Sequence, residues 1–156
     1  MQFLFIIYVN NDQKDLKIKV LQNGGLKKIY PNFVKYIEMA NSGTFSHDLS
    51  LDATKFELVK DDGEYLEYKF PIYSFNRNLG GHYYIGIQHS FGSFAYCYSI
   101  NSHGKKIEGY ISEIHDGRNT SVRRDRDVDN YRSIFSSLIM SMEAKPNFDN
   151  IFYYNL

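Results

Sequence analysis

The stretch KFELVKDDGEYLEYKFPI, Lys55 to Ile72, constrains the fold more than any other part of the chain. It holds two runs of alternating apolar and polar residues joined by Asp62 and Gly63, a pair that tolerates the positive φ of a type I′ turn. Alternation at period two sends successive side chains to opposite faces, so the segment reads as an antiparallel hairpin with one face turned to a core. Pro71 has no N–H to give a central ladder, which places the end of the second run at an edge or a bend.

Three further β-prone runs, 83–88, 94–100 and 107–114, are separated by HSFGS and NSHGKK, the pattern of a meander. The N-terminal MQFLFIIYVNND has no positive n-region and no small-residue cleavage site, and Phe3 to Val9 is too short to span a bilayer, so it reads as a first strand. LKIKVL, Leu16 to Leu21, alternates apolar and basic residues as a second strand does, and NGG closes it.

The period changes in YPNFVKYIEMANSG. Phe33, Ile37 and Ala40, with Tyr30 and Val34, fall at steps of three and four, Pro31 suits a first turn, and Asn41, Ser42 and Gly43 form a stop, predicting a helix over Tyr30 to Asn41. From Val128 the same spacing returns through Tyr131, Phe135, Leu138 and Met142, a second amphipathic helix closed by Pro146. The terminal IFYYN reads equally as a strand or a docked tail. Together these segments predict one α+β domain over 1–156, a mainly antiparallel sheet of about six strands with two amphipathic helices packed on it.

Composition narrows the function. Eighteen basic residues balance eighteen acidic ones, so the chain lacks the overall positive field of most nucleic-acid binders, and no direct nucleic-acid or membrane partner is expected. The single cysteine, Cys97, lies in the apolar AYCYS, forms no intramolecular disulfide, and points to a reducing, cytoplasmic compartment. One thiol and scattered histidines offer no closed ligand set, so neither metal nor other cofactor is expected.

The most chemical-looking segment is GGHYYIGIQHS. In one uninterrupted strand His82 and His89 lie ~23 Å apart at about 3.3 Å per residue, and their odd separation puts them on opposite faces. Each then reads as a strand-end or turn residue with a satisfied ring nitrogen. A phosphodiesterase or ribonuclease-like alternative takes His82 and His115 as acid and base beside Arg118. Asp125, Asp127 and Asp129 alternate as the first ligands of a calcium loop do, but Asn130 and Ser136 stand where glycine and glutamate are required, leaving Asp127 or Asp129 to cap the following helix. LGGHYYIG lacks the lysine of a phosphate loop. The acidic residues Asp61, Asp62, Glu64 and Glu67 share one hairpin, and Glu108, Glu113 and Asp116 come from a later strand and loop. If the two groups converge they make a surface for a basic partner.

YPNFVKYIEMANSG, ending in Asn41, Ser42 and Gly43, resembles the proline-opened helix and small-residue turn of the SUKH superfamily, and GGHYYIGI, GSFAYCYSI and YRSIFSSLIM resemble its glycine-led central strands and C-terminal helix. The resemblance covers roughly residues 26–142. That family usually opens with a helix where this chain reads as strands. The resemblance implies an α+β domain without catalytic residues, often an immunity protein that binds and blocks a bacterial toxin. The expectation is therefore a non-enzymatic, cytoplasmic protein that occludes a cognate toxin, a basic nuclease domain for preference. Its contacts would be Asp61, Asp62, Glu64, Glu113 and Asp116, with tyrosine supplying contact area.

Overall fold

The computed structural model of the protein describes residues 2–43, 56–74, 77–114 and 128–155. Its first element is a helix, α1 (Gln2–Gln22), where the sequence reads as two strands. The alternation in LKIKVL is ambiguous, because Leu16 and Val20 also stand four apart, on one face of a helix. That face wins: Val20 is buried and Leu16 packs beside it. The helix ends where NGG requires, with the Gly25 N–H returning to the Val20 carbonyl at 2.9 Å as in a Schellman closure.

A single turn, α2 (Leu26–Ile29), leads into α3 (Pro31–Asn41), which has proline in its first turn and buries Phe33, Tyr36, Ile37 and Ala40. The predicted helix is present with its predicted stripe. Its last residue, Asn41, then mimics a strand partner: its Oδ1 accepts the Phe56 N–H at 2.6 Å and its Nδ2 donates to the Phe56 carbonyl at 3.2 Å, pinning the entry to the sheet.

Five strands follow: β1 (Glu57–Asp61), β2 (Tyr65–Ser74), β3 (Arg77–His89), β4 (Ser93–Ile100) and β5 (Lys106–Ile114). They pair antiparallel in chain order, the meander expected from the sequence. The β1–β2 turn falls one residue later than DG spacing suggests. Asp61 pairs with Leu66, so Gly63, at φ 85°, and Glu64 occupy the bend. Asp62 is freed to accept the backbone N–H groups of Glu64 and Tyr65 at 3.0 and 2.8 Å. Pro71 stands where β2 has run past β1 and its register against β3 shifts, the bend its missing donor calls for.

The last element, α4 (Val128–Asn155), buries Tyr131, Phe135 and Met142 of the expected stripe, with Ile139 buried where the spacing predicts Leu138 and Leu138 half-buried beside it. It runs on through Pro146 and takes in IFYYN, so proline does not close it and the terminal segment is helix. A proline removes one helical hydrogen bond, which a long helix survives. Helices α3 and α4 pack on each other and cover one face of the sheet. Between them lies a ring-built core: Phe33 sits 5.4–5.8 Å from the rings of Tyr68, Tyr131 and Phe135. Phe70 links Phe56 and Tyr83 at 4.6 and 5.4 Å. None of the described helices is long and apolar enough to cross a membrane.

Candidate functional site: a tyrosine groove on the open sheet face

Alternation gives the sheet two faces. Leu66, Tyr68, Phe70, Tyr83, Ile85, Ile87, Ala95 and Cys97 point into the core, and their neighbours point away from the helices. On that outer face the register aligns rows across the strands. Lys60, Glu67, Gly86, Tyr96 and Ile111 form one row, and Lys69, Tyr84, Tyr98 and Gly109 form the next.

Glu67 organises both. It is 5% exposed on a face that none of the described helices covers, because two tyrosines roof it. The Tyr96 and Tyr98 hydroxyls, two strands away on β4, donate to the same carboxylate oxygen, Oε1, at 3.0 and 2.7 Å. The bridge crosses β3 at Gly86, where a Cβ would press on the Leu66 carbonyl and lie 2.7 Å from the Tyr96 hydroxyl. Burial, then the neighbouring Glu67 charge and its hydrogen bond, holds the Tyr96 hydroxyl far above the usual tyrosine value. Burial and the Glu67 hydrogen bond do the same for Tyr98. Both phenols therefore stay protonated donors, and both rings are fixed.

The rings form a platform. Tyr98 stacks on Tyr84 at 4.8 Å with 3° between planes, and Tyr96 lies nearly parallel to Tyr98, 6.1 Å away. Beside the rings lies an open groove of about 610 Å³ that runs from Lys60 and Glu67 past Tyr96 and Tyr98 to Gly109 and Ile111. Its rim carries Ile111, 60% exposed, on the edge of the described sheet. The chain's own lysines lie on the rings: Lys60 Nζ is 5.0 Å from the Tyr65 centroid, and Lys106 Nζ is 4.5 Å from that of Tyr98.

The histidines do not meet. Strand β3 is unbroken through both, His82 sharing the Tyr84 face and His89 the opposite one. His89 Nδ1 hydrogen-bonds the Tyr30 hydroxyl at 2.7 Å, and that hydroxyl also bonds Ser93 Oγ, tying the start of α3 to the β3–β4 turn. Burial lowers the His89 pKa. His115, Arg118, Asp125 and Asp127 lie outside the described residues. Among the described residues no group of three or more His, Cys, Asp or Glu is placed to hold a metal.

The acidic groups are at one end of the sheet but at opposite edges. Asp61, Asp62 and Glu64 form the β1–β2 tip, while Glu113 shares a row with Tyr65, Gln88 and Phe94, three strand spacings or ~14 Å from Tyr65. They flank the tyrosine face and do not make one patch. Asp62 is committed locally: burial raises its pKa, but the Tyr65 and Glu64 N–H bonds, with Lys17 and Lys60 nearby, bring it below the usual value. Its other oxygen faces Lys17 at 3.6 Å. Asp116 and the Glu108 side chain are outside the described residues. Glu67, grouped by sequence with the tip, belongs to the tyrosines.

Sequence reading missed the platform. The available signal was aromatic residues on both parities of YLEY and HYYIG, with FAYCY setting its rings opposite the small Ala95 and Cys97, which means rings on both faces of the sheet. No family model, curated protein or solved structure matches the chain.

Proposed function

We propose that this protein is a non-catalytic, cytoplasmic immunity-type protein that neutralises a cognate toxin by docking it on the outer face of the sheet. The observation that carries this reading is the Glu67-locked tyrosine platform beside exposed Ile111. Rigid tyrosines with one polar end give large contact area at low entropic cost, the make-up of binding hot spots. Glu113 and the Asp61 and Glu64 tip bracket the platform, and in the Tyr65–Gln88–Phe94–Glu113 row the charged side chain is acidic, which suits a basic nuclease surface. The opening helix α1 and the α+β order accord with the SUKH resemblance.

The test is direct. A toxin domain encoded beside this chain should bind the purified protein, and reversing charge at Asp61, Asp62 and Glu64 together should weaken the complex and reduce its salt sensitivity. Native affinity in that triple variant would move the contact surface elsewhere. Cleavage of mixed RNA by the purified protein, lost on replacing His82 and His115, would replace this reading with a phosphodiesterase.

A further inference from the structure

We propose that the tyrosine groove is a receptor for a guanidinium group: an arginine of the docked partner lies against Tyr98 and Tyr96 in the field of Glu67, in the place Lys106 holds in the free chain. The inference deepens the docking reading of the same face and rests on it.

Three observations carry it. First, Glu67 is buried at the groove floor, yet its partners are two phenols and among the described residues no cation forms an ion pair with it. Lys60 stands opposite it in register but places its Nζ over the Tyr65 ring instead. A carboxylate answered only by neutral donors leaves a negative potential over the rings above it. Second, the platform already holds cations at two places, Lys60 on Tyr65 and Lys106 on Tyr98, so its ring faces are presented for cation contact. Third, Gly109 lines the groove opposite Tyr98 in register, where a Cβ would lie 3.1 Å from the Tyr98 Cβ, so glycine keeps a side chain from crowding that ring.

Lys106 is the group to be displaced. It is exposed at the start of β5, and an ammonium on a ring in water is weakly held, whereas the planar guanidinium stacks as well as attracts. A phosphate would also meet the two lysines, but it would sit above a buried carboxylate.

The experiment is an amide NMR titration of the full chain with N-acetyl-arginine amide, its neutral citrulline counterpart and inorganic phosphate. Arginine amide should shift Tyr96, Tyr98 and Gly109 saturably, and bind roughly threefold or more tighter than the citrulline compound. Lys106→Ala, at an exposed site, should tighten arginine binding about twofold by removing the resident competitor, and Glu67→Gln should weaken it. Equal binding of citrulline, weaker arginine binding in Lys106→Ala, or no saturable shift overturns the proposal. So does phosphate moving the same amides and losing them in Lys106→Ala. Should Glu67→Gln fail to fold, the Lys106→Ala comparison decides alone. If a partner still docks and loses affinity in Ile111→Asp while arginine amide does not bind, the guanidinium site is wrong and the docking reading stands.

Discussion

The two faces of one sheet solve the burial of aromatic rings in different ways. The inner face buries Phe70, Tyr68 and Tyr83 under helices, ring against ring. The outer face has no covering layer among the described residues and holds Tyr96 and Tyr98 by their hydroxyls, through one carboxylate placed beneath them. The inner arrangement maximises stability. The outer one fixes the rings while leaving their faces available, which is what a docking surface needs.

The comparison breaks hardest at the core. Phe33, fully buried against Tyr68, Tyr131 and Phe135, should lose about 3–5 kcal/mol on Phe33→Ala, seen as a large fall in the denaturation midpoint. Gly86→Ala should be the costliest small change on the outer side, about 1–3 kcal/mol, because the new methyl meets the Leu66 carbonyl and the Tyr96 hydroxyl. A neutral result at Gly86 would mean that Tyr96 does not lie across β3.

Glu67→Gln sharpens the contrast. It keeps an acceptor but removes the charge, so stability should fall by about 1–2 kcal/mol. Tyr96 and Tyr98 should then ionise nearer the usual tyrosine value in an alkaline absorbance titration. The sign follows from their raised pKa values: the contribution is complete below the unfolded value of about 10 and is lost as pH rises through the folded values. His89 behaves oppositely. Its folded pKa is depressed by burial, so its contribution is complete above about pH 6.5 and is lost as pH falls toward the folded value. Urea unfolding at neutral and mildly acidic pH should show this loss in the native chain and less of it in His89→Asn.

These contrasts also mark how far the sequence could be read. The meander, both amphipathic stripes and the opposed histidines were legible, since each rests on local periodicity. LKIKVL was not, because Leu16 and Val20 satisfy period two and period four alike and only packing against the core decides. Glu67 looked like a fourth acid of the hairpin tip. Its true partners are 29 and 31 residues away on β4, and no local pattern announces that pairing.

The most direct measurement pairs stability with binding in a single outer-face variant, Ile111→Asp. Ile111 is 60% exposed, so the midpoint should stay within about 0.5 kcal/mol of native. Calorimetry against the proposed partner should show affinity falling by roughly tenfold or more, as for a buried contact in a docked complex. Unchanged affinity at unchanged stability would contradict the account, because the open tyrosine face would then be structure without a partner.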